Sequence, residues 1–142
     1  LHPDTTWDEW GLDLNEDSEV LLVRYGEFEA LLAGDAGLPA EADLAGQAGD
    51  VEVLKVGHHG SAGASGEQRL AELRPEVAVV SVGRGNRYHH PSPQALGRLG
   101  AAGAEVWRTD EQGSVQVWTD GRTFTVSSRG RALTLPASPR GP

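Results

Sequence analysis

The chain has no cysteine in its 142 residues, which excludes disulfides, thiolate zinc sites and cysteine nucleophiles. It has one lysine, Lys55, against eleven arginines. Together with the excess of Ala and Gly, that bias reads as a GC-rich coding background and not as a function. No apolar run approaches the roughly 20 residues needed to span a bilayer, and the sequence does not open on a basic-then-apolar signal segment. Basic charge is scarce: 12 Lys and Arg stand against 21 Asp and Glu, a net charge of −9. Such a surface repels a phosphate backbone and disfavours broad electrostatic binding of nucleic acid. A metal site or a local arginine cluster remains as a way to hold one phosphate.

The hydrophobic fraction, 38%, suits a folded core, and the length suits one domain. "EVLLVRY" (19–25) and "FEALLA" (28–33) read as strands joined by the two-residue link Gly26-Glu27, a hairpin pattern. "PAEADLA" (39–45) reads as a short helix with Pro39 in its first turn. "VEVLKV" (51–56) and "VAVVSV" (77–82) are apolar runs that suit strands covered on both faces. Between them "SGEQRLAELRP" reads as a helix capped by Ser65 and stopped by Pro75. Ser92-Pro93 predicts a cap and first turn for a helix through "QALGRLGAA", ended by Gly103. "AEVWRT", "SVQVWT" and "RTFTVSS" read as strands, with Asp120-Gly121 as the hairpin signal between the last two. The pattern predicts a mixed α/β domain over residues 1–130 and, from its Pro, Gly and Ser content, a disordered tail over 131–142.

Polar clusters follow three of these strands: Asp35 the second, His58 and His59 the third, Asn86 to His90 the fourth. Adjacent strand ends of one sheet bring such groups to one rim. Imidazole nitrogen suits zinc and similar metals, and a carboxylate can bridge two ions. Each cluster also has a bland reading. Asp35 can be a turn or capping residue, a lone histidine is more often structural or exposed than a ligand, and Asn86 can be a left-handed turn residue. Two adjacent histidines cannot point the same way from a strand.

These stretches occur together in a known order: "NEDSEVLLVRYGEFEALLAGDAG", "LKVGHHGSAGAS", "PEVAVVSVGRGNRYHHPSP" and "VWRTDEQGSVQV". The set resembles the C-terminal half of the metallo-β-lactamase-fold domain of ComEC-type DNA-internalisation competence proteins. The matching residues are Asn15 and Ser18; Gly34 and Asp35; His58, His59, Gly60 and Ser61; Ser81, Gly83, Asn86, Tyr88, His90 and Pro91; and Arg108, Thr109, Asp110 and Gly113. His89 stands where the family usually has glycine, and Asp17 where it often has asparagine. His2 matches a common family stretch that holds no known ligand.

The resemblance implies one half of an αββα sandwich and a hydrolase using two divalent ions, zinc or manganese. Asp35 would bridge the ions and one of His58 and His59 would ligate the second. The other histidine would orient its neighbour or contact a phosphate. His90 would stabilise the scissile phosphate or protonate a leaving group, and Asn86 would position the substrate or its own loop. Ser61 or Arg108 would tune the ligands. The family's His-x-Asp-x-Asp-His motif is absent from these residues and would lie upstream, so weak or no metal binding is expected of this chain alone. The implied partners are single-stranded DNA or another phosphodiester, the N-terminal half of the same domain, and a second copy of the chain covering a sheet face that the absent half leaves bare. The implied location is the outer face of a bacterial cytoplasmic membrane. The alternatives are a related hydrolase of a small phosphodiester or ester, and a catalytically dead module of a membrane channel.

Overall fold

The computed structural model describes Asn15 and residues 18–139. Asp17 and His2 lie outside the described residues. Five strands form one mixed sheet in sequence order: β1 (Leu21–Tyr25), β2 (Phe28–Leu32), β3 (Val53–Lys55), β4 (Val77–Val80) and β5 (Glu105–Arg108). β1 pairs antiparallel with β2 through the expected two-residue hairpin, and β2 to β5 run parallel. The crossovers carry α1 (Leu38–Asp43), α2 (Glu67–Leu73) and α3 (Pro93–Ala101). Each crossover steps the same way along the sheet. Right-handed connections therefore place all three helices on one face.

Side-chain alternation then makes two cores. Leu31, Leu54, Ala78 and Val80 face the helices and pack with Leu44, Leu70, Leu73 and Leu99. Phe28, Ala30, Val53, Val77 and Trp107 face the other way. There they meet a second, antiparallel sheet of β6 (Gln116–Thr119), β7 (Thr123–Ser128) and β8 (Arg131–Pro136). Phe28 and Phe124 pack across this interface with ring centroids 5.5 Å apart. The hairpin tips lock the sheets together: Glu27 N–H donates to the Gly121 carbonyl at 2.6 Å. A Cβ on Gly26, at φ +61°, would lie 2.6 Å from that oxygen, so a side chain there would force the tips apart.

Three expectations change. Residues 131–136, placed in a disordered tail, form β8, because Leu133 and Leu135 alternate inward against the second core while Arg129-Gly130 turns the chain back. Pro136 is tolerated because it ends an edge strand. The N-cap of α2 is Gly66, not Ser65; Ser65 is buried with φ +56°. Its N–H and that of Gly66 donate to the Glu41 carboxylate at 2.6 and 2.8 Å. The facing sheet expected from the absent half is in part supplied by β6 to β8. Among the described residues, what stays bare on that face is the β1 row, with Leu21, Val23 and Tyr25 43%, 44% and 59% exposed, and Leu32 of β2 beside Leu21. They share the face of Phe28 and Ala30.

Candidate functional site

Because β2 to β5 are parallel, their C-terminal ends line one edge of the sheet. The loops leaving them carry Asp35, the histidine pair, the 83–90 loop and Thr109. Asp35 follows Gly34, and its N–H donates to Ser18 Oγ at 3.1 Å. Gly57–Gly60 is a tight turn in which His58 (φ 44°, ψ 44°) and His59 (φ 53°, ψ 23°) are both left-handed. The two rings therefore leave a turn and not a strand, and each goes to a different partner.

His59 Nδ1 lies 2.7 Å from the Ser81 carbonyl oxygen. A carbonyl only accepts, so Nδ1 carries the hydrogen and the neutral ring presents a bare lone pair at Nε2. That lone pair lies 3.3 Å from Asp35 Oδ1, itself an acceptor. Two facing acceptors call for a cation: a proton on Nε2, or a metal ion held by both. Donation of the second ring N–H to a backbone carbonyl is how metal-ligating histidines are commonly oriented, so the donor chemistry fits an ion at His59 and Asp35. Zinc takes about three or four protein ligands, and among the described residues no three ligand-type side chains converge. Of the two histidines, His59 is the one that stands beside Asp35.

His58 turns instead to His90, with centroids 5.8 Å apart and planes at 71°. Burial, and then the neighbouring His58 and His59, hold the His90 pKa below the usual histidine range. His90 belongs to a loop built on Asn86. The Asn86 Oδ1 accepts the N–H groups of Tyr88 (3.2 Å) and His90 (3.0 Å), and Nδ2 donates to the carbonyls of Gly83 (3.0 Å) and His90 (2.7 Å). Asn86 therefore spends its hydrogen bonds on the loop. The two loops meet where Ser92 N–H donates to the Gly60 carbonyl at 2.8 Å. A Cβ on Gly60, at φ +82°, would lie 2.6 Å from Pro91 Cβ, so this contact requires glycine.

Ser61 and Arg108, expected to tune the ligands, are engaged elsewhere. Ser61 Oγ accepts the Gly63 N–H, and Arg108 pairs with Asp110 and Glu111 at 2.7 Å each. Two contributors were given no role from sequence. Thr109 Oγ1 accepts the Val82 N–H at 2.7 Å and donates to the Val82 carbonyl at 2.8 Å, fastening the start of the 83–90 loop. Lys55 Nζ donates to the Gly34 carbonyl at 2.7 Å, directly under Asp35. Burial lowers its pKa, and Asp35 opposes that shift. The available signal was that the one lysine of an arginine-rich chain stands at the end of a buried strand.

Among the described residues no helix is long and apolar enough to cross a membrane. No family model matches the chain. No solved structure matches it. Three curated proteins do. ComE operon protein 3 of Bacillus subtilis (strain 168) is 37% identical over 115 residues, 80% of this chain and 15% of that protein. Recombination protein 2 of Haemophilus influenzae is 39% identical over 103 residues, 72% of this chain and 13% of that protein. Competence protein ComA of Neisseria gonorrhoeae is 38% identical over 108 residues, 74% of this chain and 16% of that protein. The matched segment thus spans about a seventh of the length of these relatives. Across that segment it belongs to the ComEC-type family of competence proteins.

Proposed function

We propose that this chain is the C-terminal part of a metal-dependent phosphodiesterase, a nuclease domain of metallo-β-lactamase fold in a DNA-uptake protein. The competence and recombination names of its relatives support the DNA-uptake setting. The layered arrangement of helices, mixed sheet and antiparallel sheet supports the fold. The observation that carries the chemistry is His59 Nε2 facing Asp35 Oδ1 at 3.3 Å, with the other ring nitrogen fixed on the Ser81 carbonyl. Asp35 and His59 would hold one or two zinc or manganese ions together with ligands from the N-terminal half of the same domain. When bound, such ions polarise a phosphodiester and lower the pKa of water.

The chain's own groups divide the remaining work. Burial and the neighbouring imidazoles lower the His90 pKa and so favour its neutral form. In that state it can accept a proton or donate one N–H to a phosphoryl oxygen. Asn86 and Thr109 hold the loop that presents it. Lys55 fixes the backbone of Gly34 and so the direction of Asp35. In this reading the domain lies on the outer face of the cytoplasmic membrane, in a protein whose membrane-spanning parts are outside this segment.

The test is hydrolysis of single-stranded DNA and of a small chromogenic phosphodiester by the full protein with manganese or zinc. Asp35→Asn and His59→Ala are each expected to lower kcat by at least about 100-fold, the scale of losing an electrostatic contributor. His58→Ala is expected to cost about 10-fold or less, since it acts through His90. Equal losses for the two histidines, or full activity in Asp35→Asn, would overturn the assignment. Activity on the small diester alone would favour a small-substrate hydrolase.

A further inference from the structure

The 83–90 loop presents more than His90. Tyr88 is 62% exposed, although the loop around it is tightly built. Its own N–H and that of His90 are held by Asn86, and the loop's start is held by Thr109. The Tyr88 ring stacks on His90, with centroids 5.9 Å apart and planes at 20°. Arg87 lies with Cζ 4.8 Å from the Tyr88 centroid, and its Nη2 donates to the Tyr88 hydroxyl at 2.6 Å. Tyr88, His90 and His58 thus form a run of rings that ends at the turn carrying His59. Residues 83–90 include Arg84 and Arg87 and no acidic residue, in a chain of net charge −9. A rigid loop that exposes an aromatic face beside guanidinium groups suits an unpaired base and its phosphates.

We propose that Tyr88 and Arg87 form a base-stacking subsite for single-stranded nucleic acid, adjacent to the phosphodiester position at Asp35 and His59. This rests on the phosphodiesterase reading and adds to it the feature that selects a nucleic acid over other phosphodiesters. An unpaired base stacks on Tyr88 or on the Arg87 guanidinium plane, while Arg84 and Arg87 offer donors to the backbone. A duplex, whose bases are already stacked on each other, cannot use the subsite.

The test is fluorescence anisotropy of the full protein with a labelled oligothymidine of about 12 nucleotides, a common footprint for such grooves. An abasic strand of equal length serves as the control, and chelator prevents cleavage. Wild-type protein is expected to bind the base-bearing strand about 10-fold more tightly than the abasic one. Tyr88→Ala is expected to remove that difference, with an unchanged thermal melt. Tyr88→Phe and Tyr88→Trp are expected to keep it. Equal binding of the two strands by wild type, or a base preference that survives in Tyr88→Ala, would overturn the subsite. If Asp35→Asn abolishes cleavage while binding ignores both the bases and Tyr88, the phosphodiesterase stands and the subsite falls. If neither strand is bound and neither is cleaved, both fall.

Discussion

His58 and His59 occupy left-handed backbone at consecutive positions. For a residue with a Cβ that conformation costs about 1–2 kcal/mol. The turn gains by it a geometry no strand provides: one ring directed at Asp35 and the other at His90, from neighbouring residues. Strain of this kind persists where the surroundings over-determine it. Here Gly57 and Gly60 are buried, the His58 N–H donates to the Gly34 carbonyl at 3.2 Å, and Ser61 N–H closes on the His58 carbonyl at 2.9 Å. The expected consequence is an inversion of the usual order of substitutions. His58→Gly and His58→Ala both remove the ring, but only glycine relieves the backbone. His58→Gly is therefore expected to be about 1 kcal/mol more stable than His58→Ala in urea melts. A His58→Ala variant at least as stable as His58→Gly would show that the backbone is relaxed there.

The loop after the histidines is held by two helices. Arg98, on α3, donates to the carbonyls of Ser65 (2.8 Å), Ala62 (2.8 Å) and Ala64 (2.6 Å). Glu41, on α1, accepts the N–H groups of Ser65 and Gly66. The Glu41 carboxyl is pushed up chiefly by burial, against those two N–H groups and the charges of Arg69 and Arg98. A carboxyl with a raised native pKa is a cost that is complete above that native value. The cost is relieved as pH falls through it toward the unfolded one. Glu41→Gln removes the titration and sets an amide NH2 against one backbone N–H. It is expected to be about 1 kcal/mol less stable than wild type at neutral pH, with the gap widening toward about pH 5. Urea melts at the two pH values measure this, and a gap that closes on acidification would mean that the N–H groups outweigh burial. None of it is visible in local sequence, because the partners are 24 and 25 residues apart. Elements whose signals are local were legible: Ser92 Oγ accepts the Ala95 N–H at 3.1 Å as its place before Pro93 predicts. β8 was not, because Pro, Gly and Ser content outweighed the alternation of Leu133 and Leu135.

At the scale of the molecule, the strand order and the gathering of Asp35, His59, Asn86 and His90 at one sheet edge follow from parallel strands that each end in a polar cluster. The division of labour between the two histidines does not, because it depends on backbone angles and on the carbonyl of Ser81. The bare part of the inter-sheet face was expected to be larger; β6 to β8 cover its centre and leave Leu21, Val23 and Tyr25 on the edge strand β1. An apolar row on a strand that is the outermost of its sheet among the described residues can recruit another chain. We propose that the N-terminal half of the domain covers it, and that in the isolated chain a second copy would take that place. Val23→Lys separates the two situations. In the isolated chain the substitution lies on a half-exposed surface and is expected to change stability by about 0.5 kcal/mol or less, while shifting light scattering from dimer or larger toward monomer. Under that proposal the same lysine would be buried without a partner in the full protein, and a loss of several kcal/mol is expected, seen as a lower melting midpoint and lost activity. An isolated chain that is monomeric before the substitution would leave the β1 row without a self-association role, and a full protein indifferent to Val23→Lys would mean that the N-terminal half packs somewhere else.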